Sequence, residues 1–200
     1  FECYEKGILT KDDTDGLELN WGDYNIVFEL IRKIAYRDGF GDTIAEGSRR
    51  ASEIIGKGSD YYAMHIKGQD LYEDLRAPIG WALGACLATR GGGHTTGAAA
   101  ADLVAGMDPI ADKASEDFFE VRNIHPLEYQ DKAKLVIYTE RQQEIMNSMI
   151  LCLYLGTWSS SENISLNHLA ELYSAATGRE TTKEELIRVA DKILNLEKVF

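Results

Sequence analysis

The residues with the most chemical promise lie in Arg90-Gly91-Gly92-Gly93-His94-Thr95-Thr96-Gly97. Three successive glycines after an apolar segment let the backbone approach a neighbour closely. His94 then projects from a loop, where an imidazole can donate a hydrogen bond or a proton near neutral pH. The same segment also reads as a flexible connector carrying a solvated histidine. It is not a phosphate-binding P-loop, because no Lys-Ser/Thr pair follows the glycines. A second segment, Asp13-Thr14-Asp15-Gly16-Leu17-Glu18, has two readings. It is a surface turn of the residues that favour turns, or a rigid loop whose amides and carboxylate hold a polar heterocycle or an anion. Cys152 follows Asn147-Ser148-Met149-Ile150-Leu151 and reads either as a buried structural thiol or as one ligand of a metal cluster. A cluster takes about four thiolates, and Cys3, Cys86 and Cys152 do not have ligand spacing. Cys152 is therefore a ligand only if the others lie outside this chain. His65 reads as a satisfied polar group near the core, His125 as a turn or cap before Pro126, and His168 as an exposed helical residue. Their spacing matches no zinc site.

Helices must position these groups. Only Pro78, Pro109 and Pro126 interrupt the chain, so long helices are permitted. Ile26, Val27, Leu30, Ile31, Ile34 and Ala35 recur at helical spacing between Asp23 and Asp38, with Gly39 as the left-handed stop. Asp42 is placed to cap a second helix with Ile44, Ala45, Ala51, Ile54 and Ile55 inside, ending at Gly56. Together they predict an antiparallel hairpin. Residues 60–66 suit a short strand. Pro78 suits the first turn of a helix that buries Trp81, Ala82, Ala85, Cys86 and Ala88. A small helix is predicted over 98–105 and an irregular acidic loop over 106–125. A long helix is predicted from Pro126 to Met149, and another over 166–177 between Ser165 and Gly178. A last helix opens on the capping box Thr182/Glu185. The fold class is mainly α, as two packed helical subdomains spanning 1–125 and 126–200.

A formal net charge of −12 excludes a nucleic-acid backbone as partner, which needs a basic surface. No apolar run reaches the roughly 18 residues of a membrane span. The sparse, odd cysteine count points to a reducing cytoplasm rather than a disulfide framework. The chain opens on Phe1 without a methionine and closes in helical pattern, which reads as a piece of a longer protein.

Several of these segments, in order, resemble the aldehyde:ferredoxin oxidoreductase family: Phe1 to Glu18, Trp21-Gly22-Asp23, Arg37 to Gly47, Ala63 to Gly68 and Ser174 to Gly178. The resemblance runs over nearly the whole chain, with a divergent stretch at about 98–125. It implies the family's two C-terminal helical domains. It also implies a tungsten or molybdenum bis-pyranopterin cofactor beside a [4Fe-4S] cluster, oxidation of aldehydes to carboxylic acids, and electron transfer to ferredoxin. Two Asp-x-x-Gly-Leu-type motifs of the family face the pterins. Asp13 and Leu17 match the first. In the second, Asn147 replaces the aspartate and Ile150 the glycine, leaving Asn147 and Leu151 as pterin contacts by side chain and backbone. Cys152 matches the fourth cluster ligand. The other three cysteines, and an active-site glutamate, are expected upstream of Phe1. His94 matches the active-site histidine, and Thr96 stands where the family often has a basic pterin contact. Arg76 and Arg90 stand where it tends to have arginine, as cofactor contacts or salt-bridge partners. A homo-oligomer is compatible with all of this. The isolated 200-residue chain is expected to be inactive, since half the cofactor cavity is missing. A divergent helical binding or assembly module of the same fold, without metal or catalysis, is the alternative.

Overall fold

The computed structural model describes residues 1–71, 73–76, 78–97, 99–104, 125–157 and 163–199. The architecture is mainly α, as expected, in two compact units, Phe1–Leu71 and Tyr72–Phe200.

In the first unit, α1 (Glu2–Glu5) leads into a loop and then α2 (Tyr24–Tyr36). Asp23 caps α2 by accepting from Asn25 N at 3.0 Å. The helix stops before the expected Gly39. Arg37 takes the left-handed position at φ 51°, and Gly39, at φ 55°, instead opens α3 (Phe40–Ile44). Gly39 is needed there because a Cβ would collide with the Asp15 carboxylate. Asp15 Oδ2 accepts from Phe40 N at 2.6 Å and from Lys33 Nζ at 2.9 Å. The single second helix predicted from Asp42 is two helices. Gly47, at φ 83°, separates α3 from α4 (Ser48–Ile55). Asp42 lies inside α3 and pairs with Arg37 at 2.7 Å. Gly56, at φ 61°, ends α4 as predicted. Leu9, Leu19, Leu30 and Phe40 form the buried core. Val27 and Ile31, expected inside, are 43% and 56% exposed. They line an apolar cavity of about 410 Å³ that includes none of the candidate site residues. The predicted strand shrinks to β1 (His65–Ile66), paired antiparallel with β2 (Gln69–Asp70) through Lys67 and Gly68, both at positive φ. One two-residue pair has no sheet to cover it, so His65 is exposed rather than part of a core.

In the second unit, α5 (Ile79–Leu87) and α6 (Ala101–Val104) precede α7 (Lys132–Ser148), followed by α8 (Leu166–Thr177) and α9 (Lys183–Glu197). The central α7 packs against α5, α8 and α9. It buries Leu135, Val136, Ile145 and Met146 together with Thr139, Gln142 and Glu144. It begins at Lys132 rather than at Pro126. The Pro126 carbonyl accepts from Ile79 N at 2.8 Å, drawing that stretch onto the start of α5. Lys132 pairs with Asp102 in the interior; their side chains are 2% and 0% exposed. Asp102 also accepts from Gly80 N at 2.5 Å. Burial pushes the Asp102 carboxyl up from its ordinary value, opposed by Lys132 and the Gly80 N–H. Helix α8 begins and ends, and α9 begins, as read from sequence, while α9 stops at Glu197, short of the chain end that the helical pattern reaches. Ser165 and Thr182 cap them, and Gly178 stops α8 at φ 72°. Trp81, Ala85 and Ala88 are buried as predicted, Ala82 is half-buried, and Cys86 is exposed on the opposite face of α5. Residues 105–124, most of the expected acidic loop, lie outside the described residues, and the expected boundary at 125 borders them. No described helix is long and apolar enough to cross a membrane.

Candidate functional site

The candidate residues divide between the two units. Asp13 and Leu17 belong to the first; His94, Thr96, Asn147, Leu151 and Cys152 belong to the second.

In the second unit, the chain leaves α5 and turns through Gly91 and Gly92 at φ 86° and 60°. Only glycine adopts two such residues in a row without steric cost. All three glycines are buried. His94–Thr96 forms a single 3₁₀ turn, and Gly97, at φ 118°, rests on α7. A Cβ at Gly97 would lie 2.6 Å from Glu140 Cα. The Gly97 carbonyl accepts from the Thr139 hydroxyl. Close backbone approach is therefore what the glycines supply.

His94 is held rather than solvated. Its side chain is 22% exposed, and its ring stacks on Trp81 at 5.2 Å between centroids with a 24° interplanar angle. Its Nδ1 meets the Glu73 carboxylate. Nothing in the sequence singles out Glu73, which stands among Asp70, Tyr72 and Asp74 and looks like part of an acidic surface run. Among the described residues, two buried side-chain polar atoms lack a hydrogen-bond partner: Glu73 Oε2 and Thr96 Oγ1. Both lie on residues that form or touch this turn. Buried polar atoms are almost always satisfied, so these two leave hydrogen-bonding capacity at the turn that the described residues do not use. Arg90 bonds Thr95 Oγ1 at 2.7 Å, and Arg76 clamps Asp74 through its Nε at 2.9 Å.

The Asn147–Cys152 segment ends α7. Ile150 N donates to Asn147 O at 3.1 Å and Leu151 N to Met146 O at 2.9 Å, the paired bonds of a Schellman stop. The left-handed residue of that stop is Ile150, at φ 60°, a position that normally takes glycine and that a β-branched residue enters with strain. Ile150 thus occupies the one position of this stop where backbone conformation selects for glycine, the position where the resemblance expects one. Asn147 is exposed and accepts from Gln143 Nε2 at 2.9 Å. Leu151 packs against the core of Ile145, Met146 and Leu169. Cys152 is exposed, which removes the buried structural reading. Among the described residues, no three His, Cys, Asp or Glu side chains form a metal-holding group.

The Asp13–Leu17 loop satisfies itself. Asp13 Oδ2 accepts from Thr10 N at 2.8 Å and Thr10 Oγ1 at 2.7 Å, while Oδ1 takes Lys57 Nζ at 3.0 Å. These bonds, the Thr10 hydroxyl first and Lys57 next, hold the Asp13 carboxyl down at about 2. Thr14 is fully buried and donates to Leu17 O at 2.6 Å. Leu17 is half-buried against the Leu9–Leu30 core. Asp15 fastens the loop to α2 and α3 through Lys33 and Phe40.

Comparison with known proteins places the chain in a family. A family model described as aldehyde ferredoxin oxidoreductase, domains 2 and 3, matches residues 1–200. The chain is 28% identical over 205 residues to a tungsten-containing aldehyde ferredoxin oxidoreductase of Thermococcus kodakarensis, covering all of this chain and 30% of the relative. It is 29% identical, with the same coverage, to the enzyme of that name from Pyrococcus furiosus. Over 105 residues it is 38% identical to the WOR-like subunit of an aliphatic sulfonate oxidoreductase from Pyrococcus furiosus, covering 49% of this chain and 17% of that subunit. The chain spans under a third of the length of the tungsten relatives, 30% in each case. With a match that runs from its first residue to its last, the chain belongs to the aldehyde ferredoxin oxidoreductase family and corresponds to its domains 2 and 3.

Proposed function

We propose that the chain is the cofactor-facing helical part of a tungsten- or molybdenum-pterin oxidoreductase. The enzyme would oxidise a small aldehyde with water to a carboxylic acid. Its two electrons would leave through a [4Fe-4S] cluster to ferredoxin. The observation that carries this reading is the pair of orphaned polar atoms, Glu73 Oε2 and Thr96 Oγ1, beside a held histidine, in a chain whose whole length matches the family.

When bound, the metal–pterin supplies the two-electron redox chemistry and polarises the carbonyl oxygen. His94 holds that oxygen or gives it a proton, as general acids do near neutral pH. The Thr96 hydroxyl offers its unused hydrogen bond to the pterin. Asn147 offers its amide, and Leu151 its carbonyl, since the Leu151 N–H closes α7. Asp13 and Leu17 keep their loop in shape from within, and its exposed face is the part that would meet the other pterin. Cys152, exposed at the end of α7, gives one thiolate to the cluster, the rest coming from outside this chain.

The intact protein, purified without oxygen, is the material for the test. About one tungsten or molybdenum and about four irons per chain are expected, as in a cuboidal cluster. A folded protein with neither metal sinks the enzyme reading in favour of a binding module that kept the fold. Cys152→Ala should strip the iron and leave the tungsten. His94→Ala should lower turnover by roughly 10²–10⁴-fold, the usual range for a lost general acid, with tungsten still bound. The likeness to a sulfonate oxidoreductase subunit over half the chain makes aliphatic sulfonates the second substrate class to assay.

A further inference from the structure

We infer that Glu73 is a positioning residue for His94: its carboxylate fixes the imidazole in the tautomer that carries the proton on Nδ1. The inference rests on the reading of His94 as the reactive side chain, and adds a residue that sequence did not single out.

The geometry is a three-sided mount. Trp81, 7% exposed, lies against one ring face at 5.2 Å. The Glu73 carboxylate meets Nδ1, and the two side chains are 11% and 22% exposed. The turn carrying His94 is anchored on α7 by Thr139 and the Gly97 contact. An ionised carboxylate only accepts hydrogen bonds, so Nδ1 must donate. The neutral ring then has its lone pair on Nε2, and a proton taken up or released by the ring passes through that atom. A carboxylate behind a histidine is the usual way to hold both tautomer and orientation. Burial makes the choice strong, because an Nε2–H tautomer would set a lone pair against a carboxylate with little water to separate them. The partner is also 21 residues away in sequence, on a segment whose Leu75 packs against the Trp81 core and so holds Glu73 in place. Its second oxygen is buried and unpartnered. A carboxylate that serves the fold has both oxygens engaged at Asp102, by Lys132 and the Gly80 N–H, and at Asp13, by Thr10 and Lys57.

The test reads the ring directly. The chain is labelled with ¹⁵N-histidine, and long-range ¹H–¹⁵N correlation spectra are recorded at a pH where His94 is neutral. A protonated, pyrrole-type Nδ1 and an unprotonated, pyridine-type Nε2 are expected. The reverse assignment in the wild type overturns the inference without any variant. Glu73→Gln keeps an acceptor and should preserve the pattern. Glu73→Leu should move the population to the Nε2–H form, and an unchanged spectrum in a folded Glu73→Leu protein also overturns it. In the metal-loaded intact protein, Glu73→Leu should lower kcat by roughly 10²-fold with KM little changed, and Glu73→Gln by less than about tenfold. In a His94→Ala background Glu73→Leu should cost nothing further; a further loss there means that Glu73 acts apart from His94. The spectra report on the pair whether or not the protein turns over an aldehyde, so failure of the pair and failure of the enzyme reading are distinguishable.

Discussion

Two glycine-containing loops each admit a ligand-holding reading in sequence, and the structure separates them by how completely each uses its own polar atoms. In the Thr10–Leu17 loop, Asp13 accepts three hydrogen bonds, Thr14 donates inward, and Asp15 ties the loop to two helices. In the Gly91–Gly97 loop, the backbone is pinned just as firmly, yet Thr96 Oγ1 and Glu73 Oε2, the carboxylate oxygen that His94 does not engage, are buried without partners. A loop that satisfies itself is built to stay as it is. A loop that is rigid and incomplete keeps hydrogen-bonding capacity that the first has already used within itself, because an unmade buried hydrogen bond costs stability until a partner makes it.

Four substitutions can break or sharpen that contrast. The largest effect is expected from Lys132→Met, which strands Asp102 in the interior at the base of α5. Removing one partner of a buried ion pair costs about 3–5 kcal/mol, seen as a fall in the denaturant midpoint, and a loss under 1 kcal/mol would mean that the pair is not buried in solution. A matched pair of threonines comes next. Thr14→Val should destabilise by about 1–3 kcal/mol, since the Leu17 carbonyl loses its donor in a fully buried site. Thr96→Val should instead be neutral or stabilise by up to about 1 kcal/mol, while weakening cofactor retention in the intact protein. Equal losses at both positions would erase the distinction between the loops. Ile150→Gly should stabilise by about 1 kcal/mol, the strain of a branched residue in the left-handed region.

The smallest effect is on pH dependence. Asp13 titrates at about 2 in the folded chain against an ordinary value of 3.8. Between those values the unfolded state binds the proton and the folded state does not, so this contribution is present above pH 4 and fades as pH falls toward 2. Asp13→Asn should flatten the acid limb of stability in that window and leave its neutral end unchanged in slope. An unaltered acid limb would show that Thr10 and Lys57 do not hold the carboxylate in solution.

Local signals were legible where cause and effect lie within one turn. Ser165 and Thr182 cap their helices, Gly56 and Gly178 stop theirs, and Asp23 opens α2, as their residue types dictate. Partners between distant segments were not legible. Gly39 looked like a helix stop because glycine favours that position. Its place is set by the Asp15 carboxylate, which comes 24 residues earlier in the chain. Cys86 looked buried among alanines, but helix phase puts it outside.

Sequence alone determined the helical class, several helix ends, the glycine run before His94 as a place of close backbone approach, and the family resemblance, because each depends on residue type and short-range spacing. Tertiary structure decided which loop is complete and which is not. It paired Glu73 with His94 across 21 residues and Asp102 with Lys132 across 30. Such pairings depend on which helices pack together, and that follows from burying apolar faces over the whole unit rather than from anything written beside the residues themselves.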